Sequence, residues 1–312
     1  MDRAYRAAYL ALHETGDLAA RASALVEFMR SCTLCPRNCR INRIDGEPGV
    51  CGIGADAIVS SYVAHFGEES VLVGCRGSGT IFLTGCNLKC IFCQNYDISH
   101  LRRGRTVTTA RLAEMMIELQ GQGCHNINFV TPTHQVPRIV EAVDAACAMG
   151  LRVPLVYNCG GYESVEVLKL LDGVIDIYMP DVKYGDNEPG RRYSGVPDYW
   201  DRCREAIREM HRQVGDLDVR RVECDDGRTA TIATRGLLIR HLVMPNKVAH
   251  TLGVAEFLAR EISRDTFINI MAQYRPEYGA NRFPEINRRI TPEEFREAVD
   301  EARRAGLHRF AD

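Results

Sequence analysis

Long apolar runs are missing from this chain. Nowhere in its 312 residues do about 18 apolar residues follow one another, the length a membrane-spanning helix needs. Its first residues, MDRAYRAAYLALHETGD, have no basic stretch followed by an uninterrupted apolar one, so no secretory leader is read there. Charge of one sign is equally scarce: 39 basic against 41 acidic residues leave a formal net charge of −2. Such a balance sets up no long-range field for nucleic acid or an anionic membrane, although it allows local basic patches. A soluble, cytoplasmic protein with no membrane partner is expected. With 46% hydrophobic residues the chain can bury one large core, leaving about 60–90 residues for an appendage.

Cysteine is what the chain has in excess. Thirteen are present, an odd number that cannot all pair, and cytoplasmic thiols are kept reduced, so metal binding is the leading account. Seven fall into two tight groups, Cys32/Cys35/Cys39/Cys51 and Cys86/Cys90/Cys93, while Cys75, Cys124, Cys147, Cys159, Cys203 and Cys224 are scattered. The scattered ones read mostly as small core residues.

Asp17 is placed to cap a helix over Leu18–Met29, which leads into a stretch, Ser31–Gly54, rich in glycine and proline and poor in helix or strand signals. From Thr80 onward strand and helix patterns alternate. Strands are expected at about Thr80–Thr84, Asn126–Val130, Val153–Tyr157, Ile175–Met179, Leu237–Met244 and Thr266–Met271. Helices are expected at about Thr109–Gln122, Val136–Met149, Glu163–Leu171, Tyr199–Gln213, Leu252–Ile262 and Pro292–Ala305. Leu112, Met115, Met116 and Leu119 make one apolar helix face, so those methionines are core. Strand–helix repeats imply a parallel sheet with right-handed crossovers, whose site lies at the strands' C-terminal ends. Leu217–Arg235 interrupts the rhythm and reads as a hairpin turning at Asp225–Asp226–Gly227. Two parts follow: residues 1–79, a helical and Cys-rich metal-binding extension, and residues 80–312, a barrel with a hairpin inserted at about 217–235.

Thr80–Asn95 reads TIFLTGCNLKCIFCQN, a short apolar strand, a glycine and Cys-x3-Cys-x2-Cys. Thiolates at this spacing converge on one metal centre, and thiolate is the usual protein ligand of iron–sulfur clusters. Three ligands leave one iron open to a small molecule, as in catalytic rather than closed metal sites. A bare motif of this kind also fits a zinc knuckle that borrows a fourth ligand such as His100 or Cys75. Its position after a strand at the barrel's top, with Phe92 before the last cysteine, favours the cluster.

This motif resembles the signature of radical S-adenosylmethionine (SAM) enzymes. The longer run RGSGTIFLTGCNLKCIFCQN, with CTLCPRNCRINRIDGEPGVCG before it and YMPDVKYGD, RHLVMP and MAQYRP after it, is similar to the pyruvate formate-lyase activating enzyme-like group, over roughly Ser31 to Ala305. The resemblance implies an α/β fold, a partial (β/α)6 barrel with a small N-terminal helical and Cys-rich extension. It implies that Cys86, Cys90 and Cys93 bind a [4Fe-4S] cluster and serve catalysis, with SAM chelating the fourth iron. One electron, from a reducing partner such as flavodoxin or ferredoxin, would then cleave SAM to methionine and a 5′-deoxyadenosyl radical that abstracts hydrogen from substrate.

For SAM itself the resemblance points to strand ends. After the first strand these are Phe92, whose backbone would meet adenine, and Asn95. After the second, Thr131–Pro132–Thr133–His134 stands where relatives carry Gly-Gly-Glu-Pro, so Thr131, Thr133 or His134 would replace the missing carboxylate, with a turn or cap as the plainer role of His134. Asn158 follows the third strand, ahead of Cys159–Gly160–Gly161. Asp181 and Lys183 follow the fourth, as an Asp-x-Lys element for the SAM carboxylate or as a solvated ion pair. On the fifth, adjacent Arg240 and His241 point to opposite faces, and the resemblance favours His241 inward. Gln273, Tyr274 and Arg275 after the sixth are expected to touch substrate.

Cys32-x2-Cys35-x3-Cys39-x11-Cys51 supplies four thiolates, enough to close a second metal site, structural zinc or an auxiliary iron–sulfur cluster. Spacing leaves both open. Activating enzymes with extra clusters usually carry them after the three-cysteine motif, whereas this group precedes it. Three functions compete: a radical SAM enzyme acting on a small molecule or peptide, an activating enzyme acting on a glycyl radical protein, and a non-catalytic zinc-binding interaction module. A tRNA-modifying radical enzyme also fits the motif, although a general nucleic-acid binder does not fit the charge.

Overall fold

The computed structural model describes residues 5–311; residues 1–4 of the expected N-terminal extension and Asp312 of the barrel part lie outside them. Among the described residues ten strands form: β1 (Ala57–His65), β2 (Ser78–Leu83), β3 (Arg105–Val107), β4 (Ile127–Val130), β5 (Leu155–Cys159), β6 (Ile177–Pro180), β7 (Asp218–Glu223), β8 (Thr229–Leu242), β9 (Phe267–Met271) and β10 (Arg309–Phe310). They lie in the order β10-β9-β8-β6-β5-β4-β2-β1-β3, with β7 attached to β8 alone. From β2 to β10 every neighbouring pair on that path is parallel, while β1 joins β2 and β3 antiparallel. The result is a mixed α/β fold on a mostly parallel sheet, consistent with a partial radical SAM barrel. The two ends of the strand path, β3 and β10, are not paired with each other among the described residues.

The six expected strands and their crossover helices are present, with ends moved by a few residues. Helices run over Thr109–Gly121, Val136–Ala148, Val165–Leu170, Tyr199–Val214, Thr251–Phe257 and Pro292–Ala305. Leu112, Met116 and Leu119 are fully buried and Met115 nearly so, each such side chain contributing about 1.5–3 kcal/mol of transfer free energy. Three expectations need correcting. Asp17 is not a cap: Gly16, at φ 79°, precedes the helix Asp17–Glu27, and the Asp17 carboxylate accepts a hydrogen bond from Thr15. Glu163 is not helical but a buried carboxyl ahead of Val165. The helix from Thr251 ends in a π-helical turn over Leu258–Ile262.

The hairpin at 217–235 is β7 and the first part of β8, and β8 runs on without a break into the parallel sheet. Cys75 and Cys224, read as core thiols, form a disulfide with Cα atoms 5.9 Å apart, beside the ion pair Arg76–Asp225 (2.5 Å). Together they tie the hairpin's turn to the start of β2. Cys124, Cys147, Cys159 and Cys203 are buried free thiols.

Strand alternation gives the sheet two different faces. Leu155, Tyr157, Tyr178, Leu237 and Ile239 belong to the large core under the helices, which also takes in Leu18 and Leu25 from the helix Asp17–Glu27 and Met29 two residues beyond it. Val156, Ile177, Met179 and Leu238 face the other way and pack on Val71 and Leu72 of the short helix Ser70–Val73, which plugs one end of the inner face. Continuing along that face past the plug come Asn158, Asp181, Arg240 and Leu242. No helix among the described residues is long and apolar enough to cross a membrane.

Candidate active site

β2 delivers the chain to Thr84–Gly85 and the three-cysteine loop. Gly85 has φ 79°, and a Cβ there would lie 2.8 Å from the Cys51 carbonyl oxygen and 2.6 Å from Ile53, so only glycine fits. The loop is held from several sides: Gly85 N–H donates to the Ile98 carbonyl (2.9 Å) and Ile91 N–H to that of Tyr193 (2.8 Å). The Asn87 amide donates to the Tyr162 carbonyl (2.8 Å). Each sulfur has a polar neighbour: Leu88 N–H donates to Cys86 Sγ (3.4 Å), Ser194 Oγ–H donates to Cys90 Sγ (3.1 Å), and Cys93 Sγ lies 3.1 Å from Ser99 Oγ. All three thiols line one cavity of about 400 Å³ at the plug-free end of the inner face.

The residues present fit a three-thiolate cluster better than a zinc knuckle. Both fourth ligands proposed for zinc are engaged elsewhere. His100 Nε2 meets the Cys90 carbonyl (3.1 Å) and its ring stacks on Tyr278, while Cys75 is in the disulfide. Among the described residues, no three Cys, His, Asp or Glu side chains converge closely enough to hold a single ion. Three thiols on a roomy cavity leave space for a larger group with an open position.

Opposite the thiols, Asp181 is held by Lys183 Nζ (2.8 Å) and Arg240 Nε (2.6 Å). Arg240 also donates to Asn158 Oδ1 (2.8 Å) and pairs with Glu68 (3.1 Å). Burial acts to raise the Asp181 pKa, but Arg240 and Lys183 outweigh it and hold the carboxyl at about 2. It is ionised at neutral pH.

Phe92, Asn95, Thr131, Asn158, Asp181, Lys183 and Gln273 line the cavity with the cysteines. Thr131 has φ 60°, a left-handed conformation that is costly for a β-branched residue and that clusters at functional sites. Phe92 packs between Tyr184 and Tyr274. Five expected residues are elsewhere. Thr133 donates its hydroxyl to Glu163 (2.8 Å). His134 is buried under the loop, donating from Nε2 to the Thr84 carbonyl (2.6 Å), and burial pushes its pKa down to about 3, so it is a neutral support. His241 faces the helix layer, its Nδ1–H on the Val182 carbonyl (2.7 Å) and Nε2 on the Thr251 hydroxyl (2.9 Å), with burial lowering its pKa to about 4. The inward residue of that pair is Arg240, because Leu238, Arg240 and Leu242 share one face of β8. Tyr274 donates its hydroxyl to the Ile286 carbonyl (2.8 Å), and half-exposed Arg275 pairs with Glu277 (3.0 Å).

Sequence reasoning missed Arg240's role at the cavity, the serines on the sulfurs, and the His65–Glu69 segment, of which His65, Gly67 and Glu68 reach the cavity wall. Alternation with Leu238 was the available signal for Arg240. No local pattern marks Ser194, which is about a hundred residues from its sulfur.

In the upstream loop Cys32, Cys35 and Cys51 are buried and Cys39 partly so. Left-handed Asn38 (φ 45°) and Arg40 (φ 57°) turn the chain so that Cys32 N–H donates to Ile41 and Arg40 N–H to Cys32. A Cβ on Gly49 would sit 3.5 Å from Cys39 Sγ and 3.7 Å from Cys51 Sγ. Buried Arg43 donates to the Gly54 carbonyl and lies 4.0 Å from Cys32 Sγ. Arg37 reaches across to the other cysteine loop, donating to the carbonyls of Asn87 (2.8 Å) and Leu88 (3.1 Å). The two cysteine loops are therefore in direct contact.

A parallel α/β sheet with a three-thiol loop after its first parallel strand, facing a polar inner wall, defines a cofactor-dependent enzyme scaffold. Residues 80–222 match the family described as the radical SAM superfamily. The chain is also 35% identical over 292 residues to an uncharacterized protein of Methanocaldococcus jannaschii, an overlap covering 91% of this chain and 77% of the relative. The chain belongs to the radical SAM superfamily, whose domain implies a [4Fe-4S] cluster and SAM.

Proposed function

We propose that this protein binds a [4Fe-4S] cluster at Cys86, Cys90 and Cys93 with SAM beside it, and abstracts hydrogen from a small-molecule or peptide substrate. The observation that carries the reading is the set of three thiols opening on the same cavity as Thr131, Asn158, Asp181, Lys183 and Arg240. When bound, the cluster and SAM together supply a one-electron cleavage that releases methionine and a 5′-deoxyadenosyl radical. The protein's own residues bind, orient and shield. Leu88 N–H and the hydroxyls of Ser194 and Ser99 stabilise thiolate charge on the three sulfurs, a lever on cluster potential. Lys183 and Arg240, fixed by Asp181, present positive charge to a carboxylate. Leu83, Ile98, Leu242 and Met271 give the cavity apolar wall and keep water from the reacting atoms. The Thr131 backbone, locked by its N–H on the Asn158 carbonyl (2.8 Å), orients the β4 end.

The second cysteine set belongs to the same proposal as an auxiliary iron–sulfur cluster. Its contact with the Cys86 loop through Arg37 and Gly85 supports that choice over structural zinc, because an electron relay requires adjacency and a structural ion does not. A flavodoxin- or ferredoxin-type donor would feed it. Anaerobically reconstituted protein mixed with dithionite and SAM is expected to yield 5′-deoxyadenosine and methionine in equal amounts. Intact SAM after prolonged incubation of protein holding a reduced cluster would overturn the reading.

A further inference from the structure

The inner face carries more negative charge than its partners balance. Among the described residues, Glu68, Glu69 and Asp181 stand there against Arg240, Lys183 and the imidazole of His65, and Asp181 engages both permanent cations. Arg240 keeps one contact with Glu68 (3.1 Å) but lies 4.0 Å from Glu69. Burial pushes the Glu68 carboxyl up, the response of an acid short of positive partners. Glu69 is 8% exposed. Its Oε1 accepts from Asn269 (2.9 Å), while Oε2 is buried without a hydrogen-bond partner among the described residues. The short helix that follows takes no side-chain cap from Glu69.

Both glutamates line a second cavity of about 400 Å³, with Asn269 on its far wall. Gly67, Glu68, Arg240, Met271 and Gln273 belong to the walls of this cavity and of the thiol cavity alike. The two spaces adjoin along that shared wall. A buried carboxylate oxygen with no partner is costly in a low-dielectric surround unless a donor reaches it.

We infer that this second cavity is the substrate pocket, and that it takes a cationic nitrogen group, an alkylammonium or guanidinium, whose N–H donors bond Glu69 Oε2 and Glu68. The inference rests on the radical SAM reading, since chemistry at the thiol cavity would act on what the adjoining pocket presents. The cation completes the charge balance, and Asn269 and Gln273 orient its stem.

The test titrates the reconstituted full-length protein with SAM against propylammonium, propylguanidinium and neutral 1-propanol, followed by calorimetry. The two cations are expected to saturate where propanol does not, and their relative affinity tells ammonium from guanidinium. Glu69→Gln is expected to weaken cation binding at least about tenfold, with the SAM-induced change in the cluster's paramagnetic resonance intact. Equal binding of propanol and propylammonium, or full cation affinity in Glu69→Gln, overturns the inference. Should Glu69→Gln fail to fold, Glu68→Gln reads the same charge with the same expected loss, and unchanged affinity overturns it equally. Loss of the SAM-responsive signal in wild type would strike the radical SAM reading separately, while selective cation binding would still decide this one.

Discussion

Asp181 sits between Lys183 and Arg240, and Arg240 also holds Glu68 and Asn158 in place, so Arg240 organises much of the inner wall at the level of single residues. Replacing it leaves three carboxylates facing one lysine in a desolvated space. Arg240→Ala is expected to cost about 3–5 kcal/mol of stability, as breaking a buried pair does, and denaturant titration reads it; a loss under 1 kcal/mol contradicts this account. Asp176 behaves in the opposite sense. Its oxygens accept from Ala8 N–H (3.1 Å) and Leu155 N–H (3.0 Å), yet burial dominates and raises the pKa from 3.8 to about 6. A carboxyl raised on folding favours the folded state while protonated. Its contribution is full below the unfolded value, falls as pH climbs from about 4 to about 6, and is gone above that. Stability measured across this window should decline with pH in wild type, and Asp176→Asn should remove that part of the slope. Little of this was legible in the sequence. The three cysteines, Asp181 and Lys183 announce themselves by spacing, but the choice between Arg240 and His241 depends on which strand face meets the plug, and burial of Asp176 depends on the N-terminal segment packing over β6.

Alternation made the parallel strands and their helices readable as elements, because each crossover helix has an apolar face to bury and each strand a short apolar run. β1 escaped because Ser60 and Ser61 break its apolar rhythm, and the register there shifts between Val59 and Ser61. β3 and β10 are three and two residues long, too short for any period to show. The plug helix Ser70–Val73 is four residues and owes its place to Val71 and Leu72 filling the inner face. The hairpin was readable from Asp225–Asp226–Gly227, but its covalent tie was not, since pairing of Cys75 with Cys224 spans 149 residues. Cys224→Ser is expected to lower stability by about 2–4 kcal/mol under non-reducing conditions and to change nothing once reductant is present. Equal stability of the two proteins without reductant would contradict the tie.

At the scale of the whole molecule, two cysteine loops, one before β1 and one after β2, meet at Gly85 and Arg37, and the second of them, Cys86–Cys93, opens on the inner cavity together with Asn158, Asp181 and Arg240. The helix Asp17–Glu27 contributes Leu18 and Leu25 to the same core as the barrel helices, which seats the upstream cysteines against the barrel. The claim that most depends on this arrangement is that Cys86, Cys90 and Cys93 hold a SAM-responsive cluster. It is tested most directly by anaerobic iron and sulfide analysis with paramagnetic resonance of the reduced protein, with and without SAM, on wild type and on a Cys86/Cys90/Cys93→Ala variant. The account predicts a reduced [4Fe-4S] signal that changes on adding SAM and vanishes in the variant, with residual iron from the upstream set. Zinc without iron, and no SAM-responsive signal after careful reconstitution, would contradict it.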